Sequence, residues 1–336
     1  MVVNLSPLTH IEIVVNDAEA AYQLLNKTLR AIKVQEELAA LLGGEGAIDI
    51  HVGLGDVVFQ FVQPKVKVGS WSNQLWNSGP GVHNITFGVD DMEKTREIFR
   101  KKGISELIVM NFEWDKVFPA EVMKPNPQPI IIMNTMDILG FHLELYEPFL
   151  KEEFEPLQQK YVTGHDNLIG DVSPMLHIEL VVPDIEKTYQ FLHDVFGSEK
   201  VETEFAEFLD SDFSKVIHVN LSNVVLQYIQ PLAKVASWYD QLQKSGPGVH
   251  NITFLVNDVH KIVETFKNNG ISHQISFPLE WENLVGKDDF NPKSRTVHIF
   301  NTMEKLGFHL ELFEKPSLIN FDYLFTDVRE WWEKKE

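Results

Sequence analysis

Residues 78–91 read SGPGVHNITFGVDD, and residues 245–258 read SGPGVHNITFLVND. Outward from this pair, HIEIVVND from His10 returns as HIELVVPD from His177. NTMDILGFHLELYE from Asn134 likewise returns as NTMEKLGFHLELFE from Asn301. The starting positions, 245 against 78, 177 against 10 and 301 against 134, all stand 167 apart. Gln60 and Gln227, Trp71 and Trp238, and Trp114 and Trp281 keep that offset. A constant register with no net insertion means that the halves share one architecture.

Each half divides again. An alternating strand pattern, an Asp and a helical pattern follow one another four times, from His10, Asn84, His177 and Asn251. The Asp stands seven residues on in every case, at Asp17, Asp91, Asp184 and Asp258. Asp is a favoured N-cap because its carboxylate accepts from the unpaired amides of a first helical turn. After Asp184, Ile185, Tyr189, Leu192 and Phe196 recur at helical spacing until Gly197 stops the run. Gly103 and Gly270 end the helices that follow Asp91 and Asp258. Strand-like segments come next, including VVFQFVQP at 57–64 and GFHLELYEP at 140–148. The expected organisation is a first domain over 1–163 with a trailing helix (KEEFEPLQQKYV), a linker over 164–174, and a second domain over 175–336 with a C-terminal helix.

The chain has 336 residues, enough for two cores, and its 44% apolar and 23% charged content is that of a soluble globular protein. No apolar run approaches the roughly 20 residues that span a bilayer, and the start MVVNLSPLTH lacks a secretory pattern. The absence of cysteine excludes disulfides, a thiolate nucleophile and thiolate metal ligands. A cytoplasmic location is expected. The net charge of −20 opposes binding to nucleic acid or an anionic membrane. It also weakens the case for a coenzyme A substrate. The partner expected is a small-molecule substrate, with the chain a monomer or homodimer.

Residues two apart on a strand share a face. The first strand therefore presents His10, Glu12 and Val14 together, and the strand after the SGPG turn presents Asn84, Thr86 and Gly88. Gln60 and Glu144 each stand four residues before a proline, Pro64 and Pro148. Pairing of two modules about a pseudo-twofold axis would bring His10, Gln60, Asn84 and Glu144 onto one concave sheet. The matching set in the second half is His177, Gln227, Asn251 and Glu311. Singly, such residues are ordinarily hydrogen-bonded structural groups; it is their combination and duplication that point to a site. Trp71, Trp114, Trp238 and Trp281 read as packing or pocket wall, and the GPG before His83 as a turn.

The HxxxxVxD start, the QxxxP strand end, the GxG-x-HNI segment and the final LEL strand resemble the vicinal oxygen chelate (glyoxalase/bleomycin resistance/dioxygenase) superfamily, most closely its methylmalonyl-CoA epimerases. The resemblance covers nearly all of both halves. It implies an α+β fold of four βαβββ modules paired into two cupped, glyoxalase-like mixed sheets. It also implies a divalent metal ion (Mg, Mn, Co, Ni, Zn or Fe) held by His10, Gln60, Asn84 and Glu144, and again by His177, Gln227, Asn251 and Glu311. The family has His where this chain has Asn84 and Asn251. Three arrangements remain open at that point. The amide oxygen would serve a hard cation such as Mg²⁺ or Mn²⁺. A β-bulge would turn His83 and His250 inward from the opposite face. Alternatively, His142 and His309, sharing a face with Glu144 and Glu311, would complete displaced two-His, one-carboxylate sets with His10 and His177.

The activity implied first is a metal-assisted isomerase, epimerase or lyase acting through an enolate of a small carbonyl or acyl substrate, with Glu144 and Glu311 as catalytic carboxylates. Glu12 would serve if it faces inward. A second reading is a non-haem Fe(II) dioxygenase resembling 4-hydroxyphenylpyruvate or extradiol dioxygenases, whose GPGVQHIA segment GPGVHNITF is similar to. A third is a metal-free binding protein resembling the bleomycin-resistance members, which the 23 Phe and 7 Trp would suit. The stretch VQEELAALLGGEGAID at 34–49 diverges from its counterpart VETEFAEFLDSDFSKV at 201–216. Any specialisation of the two sites is expected there.

Overall fold

The computed structural model describes residues 2–112, 114–116, 118–152, 168–234, 236–285 and 287–316. The helices expected after Lys151 and at the C-terminal end fall almost wholly outside the described residues.

The first half contributes β1 (Leu5–Val14), β2 (Ile32–Lys33), β3 (Ala47–Leu54), β4 (Val57–Pro64), β5 (Gly81–Val89), β6 (Glu106–Met110), β7 (Ile130–Met133) and β8 (His142–Tyr146). They form one sheet in the order β2-β3-β4-β1-β5-β8-β7-β6. The second half contributes β9 (Met175–Val181), β10 (Ser214–Leu221), β11 (Val224–Pro231), β12 (Gly248–Leu255), β13 (His273–Pro278), β14 (Thr296–Phe300) and β15 (His309–Phe313). Their order is β10-β11-β9-β12-β15-β14-β13. The counterpart of β2 is a single bridge between Lys200 and Val219.

At the centre of the first sheet β1 and β5 run antiparallel, and each lies parallel to the last strand of its own module, β4 or β8. The second sheet repeats this with β9, β12, β11 and β15. This is the mixed α+β architecture of paired modules, and each sheet is built from the two modules of one half. The four helices that open each module are capped as expected. Asp17, Asp91, Asp184 and Asp258 accept from the amides of Ala20, Lys94, Lys187 and Lys261 at 2.9 to 3.0 Å. Each cap contributes about 1 kcal/mol. In the helix Ile185–Phe196 the buried face is Ile185, Thr188, Phe191, Leu192 and Val195, while Tyr189 and Phe196 are half-buried.

The apolar strand faces look away from the polar faces and pack on the helices and on the other half. Ile11, Ile13, Phe59 and Phe61 of the first half share a core with Ile178, Leu180, Phe254 and Phe308 of the second. Phe59 stacks on Phe308 with ring centroids 5.4 Å apart. Contacts between halves come in reciprocal pairs. The Leu8 amide donates to Asn223 Oδ1 at 2.7 Å, and the Met175 amide donates to Asp56 Oδ1 at 2.8 Å. Gly307 (φ 76°) faces the Gly81 backbone as Gly140 (φ 79°) faces that of Gly248. A Cβ on Gly307 would lie 2.5 Å from Ile13 Cγ2 and 2.9 Å from Gly81 N, so only glycine permits this approach. Residues 169–173 are also pinned. Ile169 bridges to Gly55, and the Ser173 amide donates to the Leu255 carbonyl at 3.0 Å.

Candidate functional site

Period-two alternation on β1, β3, β4, β5 and β8 puts a set of polar residues on the face of the first sheet opposite its core. Glu12 stands between Gln60 on β4 and Asn84 on β5 in the strand register, and Thr86 stands beside Glu144. Beyond Asn84 the register slips. Glu12 pairs with Asn84 and Ile13 with Val82, which leaves His83 as an extra residue. The second sheet slips in the same way between Val249 and Asn251. A bulge is one of the arrangements the sequence left open; here it brings His83 against Glu12 while Asn84 keeps its place opposite Glu12, so His83 does not join His10, Gln60 and Glu144.

The network is closely hydrogen-bonded. His10 Nε2 lies 2.9 Å from Thr86 Oγ1 and 3.8 Å from Glu144 Oε1. Asn84 Nδ2 donates to Glu144 Oε2 at 2.8 Å. His83 Nδ1 lies 2.6 Å from Asn84 Oδ1 and 2.9 Å from Glu12 Oε1, which also accepts from Trp71 Nε1 at 2.7 Å. Gln60 Nε2 donates to Asp49 Oδ2 at 2.7 Å. His51, on β3 opposite Gln60, approaches Gln35 Oε1 through Nδ1 at 2.6 Å, and its Nε2 lies 3.5 Å from Asp49 Oδ1.

Burial makes this polar floor nearly neutral. It pushes the Glu144 carboxyl up to about 8, with the Glu12 charge adding to the effect. Burial also raises Asp49 well above the usual carboxylate range. The same loss of water lowers His10 to about 4, with Glu12 opposing, and His51 to about 3, with His10 reinforcing. Burial acts to lower His83 too, but the hydrogen bond and charge of Glu12 outweigh it and hold that ring above the usual histidine value. Glu12 and His83 thus form a buried hydrogen-bonded pair at the edge of this floor.

Above this floor lies a cavity of about 100 Å³, with His10, Glu12, Gln60, Thr86 and Glu144 at its polar end. Leu38, Met110, Phe112, Trp114 and Phe149 are among its apolar walls. Trp114 stacks on Phe149 with centroids 3.7 Å apart.

The second half repeats the floor. His177 Nε2 lies 2.9 Å from Thr253 Oγ1, Asn251 donates to Glu311, and Glu179 accepts from Trp238 at 2.8 Å. Burial holds Glu311 well above and His177 well below their ordinary ranges. The cover differs. Phe205 stands where the first half has Leu38, and Phe313 where it has Tyr146. Trp281 is fully buried between them, 5.4 Å from each ring. Phe205 in turn meets the His218 ring edge-on at 5.2 Å. An aromatic layer made by the chain itself thus lies over this floor.

The structure brings His10, Gln60, Asn84 and Glu144 onto one floor, and likewise His177, Gln227, Asn251 and Glu311. It does not join His142 to His10 and Glu144. His142 packs against His83 with centroids 5.2 Å apart, and His309 against His250 at 5.0 Å, and all four face the cleft between the halves. The displaced two-His, one-carboxylate sets are therefore not formed, because β8 and β15 start at the cleft and carry their first residue there. Sequence reasoning missed Gln35, Asp49 and His51. The signal was present in IDIHV, with two polar residues two apart in a strand, and in His218 at the same 167-residue offset from His51.

The donor chemistry argues against a cation on the four-residue set. Both polar atoms of Asn84 are engaged, and the atom facing Glu144 is an N–H donor, which repels a cation. Gln60 likewise turns its amide nitrogen to Asp49. Among the described residues no three His, Asp or Glu side chains converge on one point suited to an ion.

Residues 176–277 match the sequence profile of the glyoxalase/bleomycin resistance protein/dioxygenase superfamily. A 118-residue segment is 29% identical to human mitochondrial methylmalonyl-CoA epimerase, covering 35% of this chain and 62% of that relative. Among solved structures, a mutant of 4-hydroxymandelate synthase from Streptomyces coelicolor superposes over 99% of this chain and 100% of its own, with TM-score 0.61 and 14% identity. The Mn(II)-bound glyoxalase from Novosphingobium aromaticivorans superposes over 96% of this chain and 86% of its own, with TM-score 0.53 and 12% identity. At such identities the likeness is one of fold. With the paired-module sheets, these matches support a relationship to the glyoxalase/bleomycin resistance protein/dioxygenase superfamily, by sequence over residues 176–277 and by fold over the whole chain. No helix among the described residues is long and apolar enough to cross a membrane.

Proposed function

We propose that the first half of the chain is a binding cup for one small, uncharged, ring-sized molecule, and that it works without a cation on the four-residue set. The observation that carries this is the charge state of the cup. Its carboxyls at Glu144 and Asp49 are driven towards the neutral form by burial, and its histidines at His10 and His51 are held unprotonated. An apolar body would sit against Phe112, Trp114 and Phe149. A carbonyl or hydroxyl would reach the Glu144 carboxyl and His10. An anion would meet Glu12 and an overall charge of −20.

The test uses acetophenone as a neutral aromatic carbonyl and benzoate as its anionic counterpart, followed by calorimetry or ligand-observed NMR at pH 7. The expected result is acetophenone bound at one per chain and benzoate at least tenfold weaker. Equal or tighter benzoate binding, or a stoichiometric metal ion that His10→Ala removes, would sink the reading.

A second reading, suggested by the resemblance to an epimerase, is proton transfer in the same cup. Glu144 Oε1 and His10 Nε2, 3.8 Å apart, are an acid and an unprotonated base. His10 would take the proton beside a carbonyl while Glu144 protonates the oxygen, giving an enol, and return of both protons would complete an isomerisation. Deuterium exchange into acetophenone's methyl group, lost in Glu144→Gln, would favour this reading over simple binding.

A further inference from the structure

The cleft between the halves is a space of about 810 Å³ lined by matching residues from each half. At its base lie His83, His142, His250 and His309, none of which belongs to the cavity of the first cup. His83 and His250 are 1% and 2% exposed, yet their Nε2 atoms have no hydrogen-bond partner. An unpaired buried polar nitrogen is costly, so its survival in both halves calls for a ligand.

We infer that each histidine pair, His83 with His142 and His250 with His309, is a binding site for a transition-metal ion of the zinc class, facing the cleft between the halves. Two further features support it. The outer nitrogens are tied down as those of metal-bound histidines are. His83 Nδ1 lies 2.9 Å from Glu12 Oε1, and His250 Nδ1 lies 2.8 Å from Glu179 Oε1. His309 Nδ1 donates to the Phe300 carbonyl at 3.2 Å, which leaves Nε2 as its lone-pair nitrogen. Such partners fix the tautomer and raise ligand basicity. The spacing also fits. Two imidazoles on one tetrahedral ion, at about 2.0 to 2.1 Å per Zn–N bond, have ring centroids about 5 Å apart. The observed separations are 5.2 and 5.0 Å, with the rings tilted by 59° in both pairs.

With two imidazoles each, the ions keep open positions for water or a cleft-bound ligand. The set is imidazole-only, which suits zinc, copper or nickel over magnesium or calcium. Lys244, also at the cleft, is paired with Asp240 at 3.1 Å rather than set against the histidines.

The experiment is calorimetric titration of Zn(II) into the full chain after chelator treatment and dialysis, with circular dichroism confirming the fold of each variant. The expected result is two ions per chain, one in His142→Gln, none in His142→Gln with His309→Gln, and two in His10→Ala. Less than half an ion per chain in the unsubstituted protein overturns this inference alone, as does full binding in the double variant. Loss that follows His10→Ala and not His142→Gln overturns it together with the cation-free cup.

Discussion

Asn84 gives its side-chain amide to Glu144 at 2.8 Å, and Asn251 does the same to Glu311. Each asparagine stands where the superfamily resemblance leads one to expect a metal-binding imidazole. The bond replaces a lone pair by an N–H, and a neutral carboxyl beside it follows from burial among other acids. The floor of the cup is thereby closed by hydrogen bonds.

Glu144→Gln should stabilise the protein above neutral pH. The Glu144 carboxyl titrates near 8 when folded against an ordinary 4.5. The folded state therefore holds a proton that the unfolded state releases between those values. This contribution to stability is complete below pH 4.5 and is lost as the pH rises towards 8. Glutamine does not titrate, so the variant should gain about 3 kcal/mol relative to the unsubstituted protein between pH 5 and 8. Urea unfolding at both pH values checks it; a constant difference would show that Glu144 is ionised in the fold.

Leu38→Phe should close the first cup as Phe205 covers the second. Acetophenone binding should fall at least tenfold, with a stability change within about 2 kcal/mol because overpacking is modest at the edge of a cavity. The paired measurement is binding by calorimetry and thermal unfolding of the same sample. Unchanged binding would place the ligand elsewhere.

Much of this was legible from residues, and the reasons are physical. The Asp caps at Asp17, Asp91, Asp184 and Asp258 are local, as is the strand alternation of HIEIV, so four modules could be counted from the chain. The bulge at His83 was open rather than decided, because a one-residue slip is set by the partner strand β1. The closing of Asn84 onto Glu144 depends on two strands 60 residues apart in sequence. The divergent stretch 34–49 did mark the difference between halves: Gln35, Leu38 and Asp49 face Glu202, Phe205 and Val216 at the matching positions. What that difference does was hidden, since it turns on Trp281 stacking between Phe205 and Phe313 across separate elements.

Gly307→Ala should destabilise the junction of the halves by roughly 2 to 4 kcal/mol, from a positive φ and from overpacking against Ile13 and the Gly81 backbone. Gly103→Ala is the control. It shares a positive φ of 76° but has nothing within 4 Å of the added Cβ, so only the smaller backbone cost should appear. Chemical denaturation of both variants separates the two contributions; equal losses would mean that the close approach of the halves costs nothing.

The cation-free first cup is tested most directly by titrating Mn(II), a hard ion poorly suited to the imidazole pairs of the cleft, into the chelator-stripped chain with electron paramagnetic resonance detecting free ion. No binding below millimolar concentration is expected for the unsubstituted protein, and one ion per half is expected once Asn84→His and Asn251→His restore an imidazole beside Glu144 and Glu311. One tightly held Mn(II) in the unsubstituted chain, released by His10→Ala, would contradict the account.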